Sequence, residues 1–108
     1  MQNGYDVATI KGERMNDELF DWDSANIRHI AEHDVSPEEA EEIILGDPME
    51  MDFERSAEGE DRWTYIGETN QAQVFQVVIT LRGNRIRVIT AYQPTRRDKL
   101  LYLAIKAG

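Results

Sequence analysis

The chain has 108 residues, 41% hydrophobic and 31% charged, with a formal net charge of −9 and no cysteine. That supports one domain around a single core and excludes disulfides, thiolate nucleophiles and cysteine zinc sites. With no apolar run of about 18 residues, it also excludes a membrane-spanning helix. The opening MQNGYDVATIKGERMNDE has neither the basic nor the apolar region of a signal peptide, so a reducing cytoplasm is the expected location. An acidic chain is a poor general binder of nucleic acid, but the charge is unevenly spread. Residues 82–108 hold seven of the twelve Lys and Arg and one of the twenty-one acids, Asp98, about +6 against about −15 for the rest. Any RNA or DNA function must act through that basic end, unless the two halves pair their charges.

Residues 1–18 are polar and carry no sustained period. They are expected to form a loose arm, with a short strand possible at Val7–Ile10, ahead of a single domain over 19–108. Leu19-Phe20-Asp21-Trp22 suits a first, edge strand. Asp23 or Ser24 can cap a helix running to about His33, with Ile27, Ile30 and Ala31 on one face. Asp34-Val35 breaks it. In Ser36-Pro37-Glu38-Glu39, Ser36 is a cap, Pro37 sits at the first helical position and Glu39 closes a capping box. Ala40, Ile43 and Ile44 give that helix its buried stripe, and Gly46-Asp47-Pro48 ends it.

From Met49 the period changes to two. Met49, Met51 and Phe53 alternate with Glu50, Asp52 and Glu54 in a half-buried strand. Ala57–Asp61 turns, Trp63 to Gly67 makes another strand, and Val74–Leu81 is a nearly continuous apolar run fit for a central one. Gly83-Asn84 turns back into Arg85–Tyr92. Gln93-Pro94 stops that strand, and Thr95 caps a last helix expected to bury Leu100, Leu101, Leu103, Ala104 and Ile105. The order β-α-α-β-β-β-β-α predicts an α+β domain, an antiparallel sheet with helices packed on it.

Candidate chemistry gathers in a few places. His29 and His33, four apart, share a helix face. They can contribute to a metal site if a third ligand exists. Alternatively, His33 can cap the helix end or serve as general acid or base. Arg85 and Arg87 project from one sheet face, where they either pair with Glu50, Asp52 or Glu54 or meet an external anion. Thr95-Arg96-Arg97 opens a helix, and its free N–H groups, dipole and two guanidiniums make a natural phosphate seat. Tyr92 can offer a hydroxyl, stack on a base or simply pack. No Gly-rich phosphate loop and no nucleophile-elbow motif occurs.

The run FDWDSANIRHIAEHDVSPEEAEEIILGDP, followed by RVITAYQPTRRDKLLY, resembles the BrnT-type toxins of bacterial toxin–antitoxin pairs. The resemblance rests on Trp22-Asp23, on His33 followed by Val35-Ser36, on the strand from Arg85 preceded by Gly83, and on Thr95-Arg96-Arg97 with Tyr102. It implies a RelE-like fold and a ribonuclease that arrests translation. It also implies neutralisation by a ribbon-helix-helix antitoxin, with DNA reached only through that antitoxin. On this reading His33 is the base or acid, Arg87 and Arg96 clamp the phosphate, and Tyr92 stacks or transfers a proton. Arg85, Thr95 and Arg97 complete the phosphate site, and no metal or other cofactor is needed. The chain departs from the family pattern at Asn26, Ile30, Glu32, Tyr92 and Gln93, several of them positions where the family carries positive charge. The alternative is a catalytically inactive module that keeps the antitoxin-binding surface. A third reading is a protein of this fold that has no antitoxin and binds another anionic ligand. The charge split further implies that an antitoxin covers the basic end with an acidic or apolar segment, in a salt-sensitive complex.

Overall fold

The computed structural model describes residues 16–108, and the expected strand at Val7–Ile10 lies outside them. Helices α1 (Asn16–Leu19), α2 (Ser24–Ala31) and α3 (Pro37–Leu45) come first. Strands β1 (Met49–Arg55), β2 (Asp61–Glu68), β3 (Val74–Arg82) and β4 (Arg85–Tyr92) follow, then helix α4 (Arg96–Ala107). The strands form one sheet in the order β1-β2-β3-β4, each pair antiparallel. The expected edge strand at Leu19–Trp22 is reduced to its pairing residue. Leu19 closes α1, and Phe20 makes an isolated parallel bridge to Ile86, with the Asp21 N–H donating to the Ile86 carbonyl at 2.8 Å. The chain therefore enters the domain alongside β4.

Local chemistry sets the helix boundaries. The Asp23 carboxylate accepts from the N–H groups of Ala25 and Asn26 at 2.9 and 3.1 Å, and Asn26 Oδ1 accepts the Asp23 N–H at 2.8 Å, a reciprocal cap. Ser36 and Glu39 make the expected capping box, at 3.1 and 2.9 Å. Between the helices the chain reverses through Asp34, whose φ of 61° is left-handed, a conformation Asp tolerates better than most side chains. Regular α2 consequently stops at Ala31, short of His33.

One sheet face carries α2 and α3. Ile30, Val35, Ala40, Ile43 and Leu45 meet Phe75, Val77, Ile79, Val88 and Ala91, with Phe20 closing one side. At Gly67 a Cβ would stand 2.9 Å from Ile43 Cγ2, so the glycine is what lets α3 lie this close to β2. Ile66 and Val74 alternate with Tyr65 and Phe75 of that core and so face the other way, where Tyr102 packs on them with Met49 and Met51 at the margin.

Helix α4 reverses the burial expected of it. Tyr102 is 1% exposed, while Leu100, Leu101, Leu103 and Ile105 are 39–55% exposed. Apolar residues occupy most of this helix's circumference, so their spacing alone does not select an inward face. Tyr102 combines the largest apolar area with a polar tip, and its hydroxyl donates to Glu68 Oε1 at 3.1 Å.

Burial, then the hydrogen bond to Glu68 and the carboxylates of Glu68 and Asp47, push the Tyr102 phenol up to about 12. Because the folded value is raised, its contribution to stability is intact below the unfolded value near 10. It is lost as pH climbs from there through about 12. Urea unfolding at pH 9 and pH 11.5 should show a loss of stability in the parent that is clearly smaller in Tyr102→Phe.

Candidate functional site

Both ends of β4 carry side chains singled out by the sequence, but in different states. At its start, Arg85 donates from Nε to the Glu18 carbonyl at 3.1 Å and from Nη2 to the Phe20 carbonyl. Arg87 Nη1 lies 3.5 Å from Asp21 Oδ2 and 3.1 Å from Asp23 Oδ2, and Nη2 donates to Asp23 Oδ1 at 3.2 Å. The Arg87 side chain is only 12% exposed. Neither contact involves Glu50, Asp52 or Glu54, the partners expected from strand pairing, because β1 lies at the opposite edge of the sheet from β4. The acids come instead from the segment entering beside β4. There Phe20 and Trp22 pack with the core while the alternating Asp21 and Asp23 pair with Arg87. The hydrogen bond from Arg87, followed by the Asn26 N–H, holds the Asp23 carboxyl below its ordinary value, and the same bond raises the Arg87 guanidinium.

Buried Asn26 completes this clasp. Its amide donates to the Asp21 carbonyl at 3.0 Å and the Val88 carbonyl at 3.2 Å, joining α2, the entering segment and β4. A lysine here could not accept the Asp23 N–H as Asn26 does.

The other end of β4 is open. The His33 ring lies 6.2 Å from that of Tyr92, edge-on, and His29 lies 5.6 Å from His33 in a similar arrangement. Both imidazoles are exposed and Tyr92 is half-buried. Three residues beyond Tyr92, the Thr95 hydroxyl accepts the Asp98 N–H at 3.1 Å and starts α4. Arg96 and Arg97 extend from this first turn, exposed and in no ion pair among the described residues.

The expected site residues thus divide into two groups. At the open end the structure brings His33 and Tyr92 together, and Thr95, Arg96 and Arg97 follow Tyr92 by three to five residues in the chain. Arg85 and Arg87 belong to the clasp, with Arg87 five strand residues from Tyr92, about 16 Å at strand rise. The open group gains His29, whose four-residue spacing from His33 was the available signal. Among the described residues no group of three His, Asp or Glu is placed to hold a metal ion.

A four-stranded antiparallel sheet with helices on both faces defines a small α+β protein. The family model for the ribonuclease toxin BrnT of type II toxin–antitoxin systems matches residues 22–98, and the chain belongs to that family. No curated protein matches the chain significantly. The family is one of ribonuclease toxins, and its two-component nature brings an antitoxin partner. Among the described residues no helix is long and apolar enough to cross a membrane.

Proposed function

We propose that residues 19–108 act as one cytoplasmic domain that cleaves RNA without a metal ion, at the open end of β4. The observation that carries this reading is the His33–Tyr92 contact at 6.2 Å, with the Thr95–Arg97 helix start following Tyr92 three residues on in the chain. RNA supplies its own nucleophile. A base takes the proton from the 2′-hydroxyl, the oxygen attacks the adjacent phosphorus, and the P–O5′ bond breaks as O5′ receives a proton. The products are a 2′,3′-cyclic phosphate and a 5′-hydroxyl. His33 acts as the base, and His29, 5.6 Å away, provides a second imidazole for the leaving oxygen. The first turn of α4, with Arg96 and Arg97, holds the phosphate and stabilises charge growing on it. Tyr92 presents a ring on which a splayed base can stack. Arg87 is a positioning residue, holding the start of α2 and hence the helix that carries His29 and leads into the turn bearing His33.

The antitoxin of this reading is a ribbon-helix-helix protein, through which alone the complex reaches DNA. A second reading, a binding module that has lost catalysis, draws on the engagement of Arg87 with Asp21 and Asp23. The two separate in one assay. The purified chain incubated with RNA in EDTA should yield fragments ending in cyclic phosphate. Intact RNA, together with an unchanged growth rate on expression of the chain alone, would select the inactive module.

A further inference from the structure

Helix α4 turns its least polar side to solvent. Leu100, Leu103, Ala104 and Ala107 follow i, i+3, i+4, i+7 spacing along one face, and Leu101 and Ile105 extend it on one flank. All six are exposed, with Leu100 and Ile105 at 55% and 54%. Tyr102 anchors the helix to the sheet, and Lys106 lies over its ring at 5.9 Å to the centroid. A contiguous exposed patch of this kind marks a surface that another molecule covers. The surrounding charge identifies which kind of molecule. Arg96, Arg97, Lys99 and Lys106 against Asp98 give the helix a net charge of about +3.

RNA would satisfy the cations but has no apolar helix face to cover leucines. A second copy of the chain would cover the leucines but would bring two +3 helices together, at a cost in like-charge repulsion. An amphipathic segment with apolar anchors and acidic flanks satisfies both requirements. We infer that the exposed stripe of α4 is the docking surface for an acidic amphipathic segment of the antitoxin. The partner's existence follows from family membership, while the surface lies past residue 98, where the family match ends. Because the same helix begins with Arg96 and Arg97, an acidic segment lying along it also neutralises the proposed phosphate seat. This last step rests on the proposed ribonuclease function; the docking itself does not.

The test uses the cognate antitoxin, co-expressed and purified with the chain, and the double variant Leu100→Glu/Leu103→Glu. Both positions are exposed, so circular dichroism and Tm should match the parent. Binding to the antitoxin should weaken about a hundredfold, as for loss of central apolar anchors. In the parent, raising salt from 0.1 to 0.5 M should weaken it roughly tenfold. Undiminished binding by the double variant, or no complex with the parent chain, would overturn the proposal. A parent homodimer that the double variant abolishes would assign the stripe to a second copy. Loss of affinity for a short single-stranded RNA would assign it to RNA. If the isolated chain cleaves no RNA yet binds its antitoxin through Leu100 and Leu103, the docking proposal stands and the ribonuclease reading alone fails.

Discussion

Replacing His33 by alanine should lower the rate of RNA cleavage by about a hundred- to ten-thousand-fold, the usual contribution of a positioned general acid or base. The loss should appear in kcat with little change in KM, since the phosphate seat of Thr95–Arg97 is untouched by the substitution. His33 is exposed and lies past the end of α2, so the variant should keep the parent's Tm and circular dichroism. Two companions sharpen the reading. Tyr92→Phe keeps the ring against His33 and should stay near parental activity if Tyr92 stacks, whereas a proton-transferring phenol would make it as damaging as His33→Ala. His29→Ala should slow cleavage chiefly with RNA, and much less with a substrate whose leaving oxygen departs without a proton, such as a p-nitrophenyl phosphodiester of a ribonucleoside. A folded His33→Ala protein cutting RNA at the parental rate would remove His33 from the mechanism.

The elements legible in the sequence were those whose causes are local. Ser36, Pro37 and Glu39 specify the start of α3 within four residues, and the alternation from Met49 onward yields the meander. The strand Arg85–Tyr92 lies where Gly83-Asn84 and Gln93-Pro94 place its ends. What was hidden depended on partners far away in the chain. Arg87 reaches Asp23 across 64 positions, and nothing in the alternation of β4 distinguishes that pairing from one with the acids of β1. The burial of α4 is not legible in the sequence, because its periodic leucines signal an apolar face without saying whether this chain or another covers it. The short helix Asn16–Leu19 displaced the expected edge strand, leaving only the Phe20 bridge. In the candidate site, the pairing of His33 with Tyr92 needed the turn at Asp34 and the packing of α2 on β4, both tertiary facts. The spacing of His29 and His33 was visible from the outset.

Arg87→Ala separates the clasp from the chemistry. The variant should be less stable by about 2–3 kcal/mol, since it removes a largely buried cation and leaves Asp21 and Asp23 side by side without it. Arg87→Lys should recover only part of this, because one ammonium cannot bridge two carboxylates and a carbonyl as the planar guanidinium does. The effect also carries a pH signature. The Asp23 carboxyl has a folded value held below its ordinary one by Arg87, so its stabilising contribution is present above about pH 4. That contribution is lost as pH falls through the depressed value, and Arg87→Ala should therefore show a weaker acid sensitivity in this range than the parent. Cleavage by the variant, measured at a temperature where it remains folded, should fall far less than in His33→Ala, since Arg87 stands about 16 Å along β4 from Tyr92. A fully stable Arg87→Ala protein with abolished cleavage would reverse the assignment. It would move Arg87 from the clasp into the phosphate site and require Asp21 and Asp23 to release it when RNA binds.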